Sequence, residues 1–419
     1  MGNLPSLLLY FNVEKYWLVS EAGFTPRMSN IMKICFNLLI TFTLLLGGCA
    51  QRSHTEQPIK HSPPLHINYA LFAPASIEIP SALSLFQLTD VQKRHFLNYY
   101  HRQLEQDVKP HQALANYMQA QFTDFTYYGE TFDASTAILQ AQGNCMSLAM
   151  ITSAYAKLIN LEYDYKKVNS QPIFDKQNGY LLVSSHVQTR LFDPTYEKEE
   201  DSITVLKPMV IVDYFPSTDN YPGKLLEEKT FVAKYYVNLA AQKIVDGRLD
   251  DAFHYSMKAL EYDDQYSGAI NILAVLHKQK GDHQTADSLY QYGLFYDENN
   301  VRLLSNYLIL LKSQHRLKDI NIQQAKLDKL DDPNPYAWLE QAYAAQHDNQ
   351  SKRATRYYKK ALDIAPYLQP AYLGLYQIYL ENNRNKEAKA ILQQALYWTH
   401  EPDEKQRYKY KLYQLSNRY

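Results

Sequence analysis

The sequence has few cysteines and almost no net charge. Its 419 residues include three Cys, and 43 Lys and Arg against 44 Asp and Glu leave a net charge of −1. Three thiols cannot build a disulfide scaffold. A nucleic-acid-binding protein usually carries a surplus of positive charge, which this chain lacks. The composition therefore indicates neither a cystine-stabilised fold nor a nucleic-acid partner.

Glycine and proline are also scarce, and the common cofactor motifs are missing. The chain has 13 Gly and 18 Pro, with 46% apolar and 13% aromatic residues. This composition excludes fibrous and low-complexity architectures and supplies enough apolar side chains for packed cores, and the length favours two or three domains. The sequence contains no phosphate-binding loop, zinc-binding string or dinucleotide fingerprint. We therefore expect neither a cofactor nor a metal ion.

The main apolar run lies near the amino end, at residues 34–46 (ICFNLLITFTLLL). It is shorter than the about 20 residues that cross a membrane as a helix. It has the length of a signal-peptide core, with Lys33 as the positive flank and small residues before a cleavage point. The four residues LGGC, which end at Cys49, resemble the lipobox of bacterial lipoproteins.

This resemblance implies a leader and signal peptide over 1–48, with Met32 as its natural start. The mature chain would then begin at a fatty-acylated Cys49. Ala50 follows the cysteine where an aspartate would favour the inner membrane, so we expect a lipid anchor in the outer membrane, facing the periplasm. Residues 49–80 are polar and contain proline, which favours a tether.

Other interpretations of the amino-terminal residues remain open. Residues 34–46 could form a buried helix of a soluble protein, and Gly2 begins a short pattern typical of N-myristoylation. The histidines at His54, His61 and His66 lack the spacing of a metal site, and we interpret them as solvated side chains of the tether.

The carboxyl-terminal half repeats every 34 residues. One mostly small position recurs five times at this spacing: Ala252, Ala286, Ile320, Ala354 and Ala388. The pattern resembles the tetratricopeptide repeat, a pair of antiparallel helices in 34 residues. The resemblance implies five units over 233–402 within an all-α solenoid over 231–419, with a capping helix over 403–419. It also implies a concave surface that binds a protein or peptide partner.

Each unit has a turn signal five residues before its small position. The residues at this position are Gly247, Gly281, His315, Asn349 and Asn383. Four of the five tolerate the left-handed backbone that a tight turn requires. The third unit departs from the pattern, since Leu308 and Ile320 stand where small residues are expected. We therefore expect irregular packing in the third unit.

The segment 81–230 contains the residues that could carry chemistry. A helical apolar pattern begins after the string GNC, which ends at Cys145. We expect Cys145 at the N-terminus of that helix, where the helix dipole and unpaired N–H groups favour a thiolate. If the leader is removed and Cys49 is acylated, Cys145 is the one thiol left. A buried structural cysteine is the alternative interpretation.

Strand-like runs follow at 163–168, 180–192 and 209–215, and His186 lies on the second of them. A cysteine helix followed by antiparallel strands resembles the transglutaminase-like branch of the papain-type cysteine enzymes. The resemblance implies an α+β fold for this segment, with helices packed on an antiparallel sheet. It also implies that Cys145 is the nucleophile and His186 the general base. A histidine with a structural role only is the alternative.

The third member of such a site is either Asp193 or Asp213. Asp193 is seven residues from His186 on one run, which in an extended strand gives about 23 Å and opposite faces. If the runs that contain His186 and Asp213 pair as a hairpin with these residues opposite each other, the turn centres between residues 199 and 200, inside a polar stretch. The sequence therefore favours Asp213. An oxyanion hole would use the backbone N–H of Cys145 and a second donor, for which Gln140 or Gln142 is a candidate.

Two functions follow from these patterns. The first is an envelope lipoprotein with a Cys-His-Asp thiol site that acts on amide bonds, as a peptidase, amidase or acyltransferase, while its repeats bind a partner. The second is a non-catalytic periplasmic scaffold in which the transglutaminase-like segment is inert. The presence of all three side chains favours the enzyme.

Overall fold

A computed structural model describes residues 9–11, 63–122, 125, 130–169, 173–184, 186–197, 207–214, 221–330, 334–399 and 402–416. The signal-peptide core, the lipobox and Cys49 lie outside these residues, so their predicted roles stay predictions. Within the described ranges, no helix is long and apolar enough to span a membrane.

Five α-helices lie between residues 82 and 158 of the described chain: α1 (Ala82–Leu85), α2 (Asp90–Leu104), α3 (Pro110–Gln121), α4 (Ala134–Gln140) and α5 (Cys145–Leu158). Local signals set where they begin. Thr89 and Gln92 form a reciprocal capping box at the start of α2. Pro110 occupies the first turn of α3, where its missing N–H has no helical partner to lose. Asn144 caps α5, so Cys145 is its first residue.

The strands are β1 (Leu9–Phe11), β2 (Tyr163–Asn169), β3 (Ile173–Gln177), β4 (Tyr180–Ser184), β5 (Val187–Phe192), β6 (Met209–Asp213) and β7 (Tyr221–Leu226). Five of them form one antiparallel sheet in the order β1-β6-β5-β2-β7, and β3 pairs with β4 as a separate hairpin. The Tyr214 hydroxyl lies 2.8 Å from Thr152 Oγ1 on α5 and 2.8 Å from Thr189 Oγ1 on β5. Helix α5 therefore packs directly on the sheet.

The structure corrects two details of the strand prediction. The run 180–192 is not one strand, since β4 ends at Ser184, β5 begins at Val187 and His186 stands between them. The partner of Asp213 across the β5–β6 pair is Gln188, whereas the sequence placed His186 there. The register therefore differs by two residues. A two-residue offset keeps a side chain on the same face of a strand.

Ten helices confirm the predicted tetratricopeptide repeats: α6 (Glu228–Val245), α7 (Leu249–Tyr262), α8 (Ser267–Gln279), α9 (His283–Tyr296), α10 (Val301–Ser313), α11 (Leu317–Leu327), α12 (Pro335–His347), α13 (Ser351–Ile364), α14 (Gln369–Glu381) and α15 (Asn385–Trp398). A final helix, α16 (Pro402–Ser416), follows them. All five turn residues adopt positive φ, including His315 at 55°. The period of 34 residues is therefore set by one left-handed residue in each helix pair.

The buried apolar side chains of the described residues form two clusters. The first runs from Leu85 through α5, the sheet and the first repeats to Leu311, so it crosses the predicted domain boundary at 230–231. The second runs from Leu339 to Leu415. Helix α11 lies between them in sequence and contains no buried residue, which agrees with the irregular third unit.

The β3–β4 hairpin contacts the first helix of several repeats. The hydrogen bonds join Asn178 Nδ2 to Val245 O (3.1 Å), Gln279 Nε2 to Tyr180 OH (2.8 Å) and Arg302 Nη1 to Val183 O (3.3 Å). Val245, Gln279 and Arg302 belong to α6, α8 and α10, the first helices of repeats one to three. The hairpin therefore fixes the sheet region against these repeats.

Candidate active site

Cys145 is the first residue of α5. The side-chain oxygen of Asn144 accepts hydrogen bonds from the backbone N–H of Met146 at 3.0 Å and of Ser147 at 3.2 Å. The Cys145 side chain is 8% exposed, and it is a free thiol. A helix N-terminus stabilises negative charge, so this position favours a thiolate.

His186 and Asp213 form the second part of the site. His186 Nε2 lies 2.6 Å from Asp213 Oδ1, and Asp213 Oδ2 accepts a hydrogen bond from Gln188 Nε2 at 2.6 Å. The histidine ring and the carboxylate are both buried. Both carboxylate oxygens are engaged, which holds Asp213 behind the ring and leaves Nδ1 of His186 for the thiol.

The thiol and the imidazole are hydrogen-bonded to each other, and each changes the pKa of the other. Burial raises the pKa of Cys145, but the hydrogen bond and charge of His186, with help from Lys234 and the backbone N–H of Val187, bring it below its ordinary value. Burial lowers the pKa of His186, but Asp213 and Cys145 outweigh it and raise that pKa to about 9. Each shift therefore favours the charged form of its group, the thiolate of Cys145 and the imidazolium of His186.

Asp193 lies in a different environment. Lys109 Nζ is 2.7 Å from Asp193 Oδ2, and the backbone N–H and hydroxyl of Thr195 donate to Oδ1 at 2.9 and 2.7 Å. Burial would raise the pKa of Asp193, but these hydrogen bonds hold it at about 2. Of the two candidate carboxylates, the structure brings Asp213 to His186, while Asp193 joins the end of β5 to the start of α3.

The two candidate oxyanion donors contact each other. Gln142 Nε2 donates to Gln140 Oε1 at 2.8 Å in an exposed pair. This contact gives no support to either amide as the second donor, and that role stays a prediction.

A polar network ties the start of α5 to the first repeat. Thr131 Oγ1 accepts from Asn144 Nδ2 at 2.6 Å and from Asn238 Nδ2, on α6, at 3.4 Å. Gly143 lies beside this network, and a Cβ there would meet Ser147 Cβ at 2.6 Å. The glycine of the string GNC is therefore required by close packing.

Lys234 is a site residue that sequence reasoning missed. It lies on α6 and interacts electrostatically with the Cys145 thiolate. Burial lowers the pKa of Lys234 to about 8, although Cys145 opposes that shift. The sequence contains one feature that could have pointed to Lys234. Lys234 and Arg302 are both basic and occupy the same repeat position, two periods apart.

No group of three or more His, Cys, Asp or Glu side chains capable of holding a metal ion occurs among the described residues. Separately, Cys145, His186 and Asp213 can supply a nucleophile, a proton carrier and an orienting carboxylate.

Comparison with known proteins identifies the repeats. Residues 345–409 match the tetratricopeptide repeat family. No protein with curated annotation matches the chain. The carboxyl-terminal part of this protein is a helical repeat solenoid of the kind typical of protein–protein interaction scaffolds.

Several solved repeat proteins are similar to this chain. PilF of Pseudomonas aeruginosa is 18% identical, with 46% of this chain and 87% of that chain covered and a TM-score of 0.30. Yeast Tom70 is 16% identical, with 46% and 41% covered and a TM-score of 0.33. YrrB, described as having an unusual peptide-binding site, is 16% identical, with 41% and 88% covered and a TM-score of 0.23.

Proposed function

We propose that this protein is a thiol enzyme that acts on amide bonds by acyl transfer, in a transglutaminase-like domain joined to the repeats. The observation that carries the proposal is the continuous chain of hydrogen bonds from the Cys145 thiol through His186 to Asp213. A cysteine, an imidazole and an orienting carboxylate in this order are the parts of an activated thiol nucleophile.

Each group has a defined task. The Cys145 thiolate attacks the carbonyl carbon, and His186 gives its proton to the departing amine, which leaves an acyl thioester on the sulfur. Water or a second amine then attacks the thioester, His186 takes its proton, and the thiolate is released. The backbone N–H of Cys145 is assigned to the developing oxyanion. Asp213 keeps the ring oriented and stabilises its positive charge throughout.

The proposed cellular setting is the bacterial envelope. The apolar run before LGGC supports a signal peptide, and Cys49 would carry the lipid that anchors the chain in the outer membrane. The repeats would then bring a protein or peptide partner to the site. Intact-mass analysis of protein extracted from a bacterial envelope tests this: we expect an acylated amino terminus at Cys49, and a species that retains Met1 contradicts it.

Alkylation of Cys145 by iodoacetamide across pH tests the proposed site. The rate is followed on the Cys145 peptide by mass spectrometry, so Cys35 and Cys49 do not interfere. We expect rapid reaction well below pH 7, since the thiolate is held by His186. His186→Ala should move the reaction to the pH range of an ordinary thiol. A slow reaction in both proteins would instead support the alternative function, a non-catalytic scaffold.

The scaffold alternative has one observation in its favour. The fourth and fifth repeats form an open groove of about 440 Å³, and its lining includes Tyr343 and Leu373, which are exposed. A groove of this kind is suited to an extended peptide. Binding to the repeats without thiol reactivity is the outcome that would support this second function.

A further inference from the structure

Three cationic side chains from three elements converge on the candidate active site. Lys234 comes from α6, Arg302 from α10 and Lys167 from β2. Two of the three belong to the repeats, and none of the three is the proposed nucleophile, proton carrier or orienting carboxylate.

Lys167 and Arg302 are tied to the segments that hold the site. Lys167 is the β-sheet partner of Val187, and the backbone N–H of Val187 bonds to the Cys145 sulfur. Arg302 Nη1 donates to the carbonyl oxygen of Val183 at 3.3 Å, three residues before His186. The Arg302 guanidinium is therefore held near His186, and the backbone of Lys167 is paired with the residue that follows His186.

The position of Lys234 follows from its neighbours on α6. The ring of Phe231, three residues earlier, stacks on Tyr165 of β2 with centroids 3.8 Å apart. Asn238, four residues later, donates to Thr131 Oγ1, which also accepts from the cap of the Cys145 helix. Residues three and four apart share a helix face. Lys234 is thus directed toward the start of α5, where the thiol lies.

The repeat position between the two repeat cations is held by a glycine. Lys234, Gly268 and Arg302 occupy the same position in three successive units. A Cβ at Gly268 would meet the ring of Tyr266 at 2.8 Å, so that position carries no side chain between them. The ring of Tyr266 therefore covers Gly268, and Lys234 and Arg302 are the charged side chains at this position in the first three units.

The charges acting most strongly on Lys234 are one anion and two cations: the Cys145 thiolate, Arg302 and Lys167. Arg302 and Lys167 are exposed and repel Lys234, which is half-buried, so the repulsion at Lys234 is only partly screened. An anionic group placed beside these side chains would relieve that repulsion and bind.

We propose that Lys234 and Arg302, with Lys167, form a subsite for a carboxylate, so that the favoured acyl donor carries a negative charge close to its reacting carbonyl. This inference rests on the proposed function, because it assigns the substrate class of the same thiol. It also gives the repeats a direct part in the site, since α6 and α10 supply two of the three cations.

The test compares two alkylating probes of similar size and different charge on the full-length protein. Iodoacetate carries a carboxylate and iodoacetamide is neutral, and both alkylate the same sulfur. The second-order rate constants are measured on the Cys145 peptide, with N-acetylcysteine as the reference thiol. We expect the iodoacetate-to-iodoacetamide ratio to exceed that of the reference by about tenfold, as nearby cations attract the carboxylate at intermediate dielectric.

Variants locate the effect. Lys234→Met keeps the aliphatic stem and should lower the ratio at least about fivefold, since the cation is lost. Arg302→Gln should also lower it, and this side chain is exposed, so folding is not at risk. Lys229→Met is the matched control, because Lys229 is an exposed lysine on the same helix. Its ratio should equal that of the unmodified protein.

The outcomes separate this inference from the proposed function. If Cys145 reacts slowly with both probes at pH 6, the proposed function fails. If it reacts rapidly with iodoacetamide but the ratio equals that of N-acetylcysteine, the subsite alone is refuted. A ratio that stays high in both Lys234→Met and Arg302→Gln also refutes the subsite.

Discussion

At the scale of single residues, the hydrogen bond between His186 and Asp213 raises the pKa of the imidazole that interacts with Cys145. We expect Asp213→Asn to remove the charge that raises the pKa of His186 and thereby to raise the pKa of the thiol. The iodoacetamide rate at pH 6 should fall roughly tenfold for each unit by which the thiol pKa rises. The pH profile of the Cys145 peptide gives the measurement.

Asp193→Asn is the matched control for that change. It makes the same substitution at the other buried aspartate, whose contacts are to Lys109 and Thr195. Its profile should keep the midpoint of the unmodified protein. Equal shifts in the two variants would mean that Asp213 does not act through His186.

At the scale of elements, Asp193 connects the end of β5 to the start of α3. Its pKa of about 2 lies below the ordinary value near 3.9, so its contribution to stability is complete above that ordinary value and is lost as the pH falls through 2. The contribution is about 2 kcal/mol for this shift at a buried carboxylate.

The expected result is that the free energy of unfolding of the unmodified protein falls steeply between pH 4 and pH 2, and that Asp193→Asn flattens this part of the curve. Denaturant titrations at each pH provide the measurement. Asp90→Asn, at the exposed start of α2, should leave the steep fall in place. A curve for Asp193→Asn as steep as that of the unmodified protein would show that other groups govern acid unfolding.

The start of α5 depends on Gly143. The added methyl group of Gly143→Ala would press on Ser147. We therefore expect the free energy of unfolding to fall by about 1–3 kcal/mol from overpacking, in addition to the cost of backbone strain. The cap would shift, and the iodoacetamide rate at Cys145 should fall with it.

Gly179→Ala separates strain from overpacking. Gly179 also has positive φ, but a Cβ there would meet nothing within 4 Å. The free energy of unfolding of this variant should therefore fall only by the cost of backbone strain, about 1 kcal/mol, and Cys145 should keep its reactivity. Equal losses in the two variants would show that the contact with Ser147 is unimportant.

At the scale of the whole molecule, the two buried clusters should unfold as separate units. Leu273 belongs to the first cluster and Leu375 to the second, and both are fully buried. We expect Leu375→Ala to lose about 2–5 kcal/mol and to reduce amide hydrogen-exchange protection only after residue 334. Leu273→Ala should instead reduce protection in the sheet and in the first repeats. Loss of protection throughout the chain in both variants would indicate a single cooperative unit.

Much of the repeat region could be predicted because its signals are local and recur. A small residue, a large apolar residue and a turn residue return every 34 positions, so five copies of the pattern support one another. His315 adopts the left-handed turn although its residue type favours it less than glycine does, because the flanking helices fix the geometry.

The strand register was harder to predict from the sequence than the repeats were. The polar stretch between β5 and β6 could be recognised, but its centre could not be located to one residue, and the error in pairing is two residues. Asp213 still lies beside His186 despite this error, because side chains two residues apart project from the same face of a strand. The corresponding error of one residue would have placed His186 and Asp213 on opposite faces.

By itself, the sequence determined the helix starts, the repeat period and the place of Cys145 at a helix N-terminus, since caps, turns and apolar spacing act within a few residues of one another. Only the tertiary structure decided which distant groups meet that sulfur. His186 and Asp213 reach it through the pairing of β5 with β6, and Lys234 reaches it because the first repeat shares a core with the sheet. Such contacts depend on how whole elements pack, and packing is settled by the shape and burial of many side chains together.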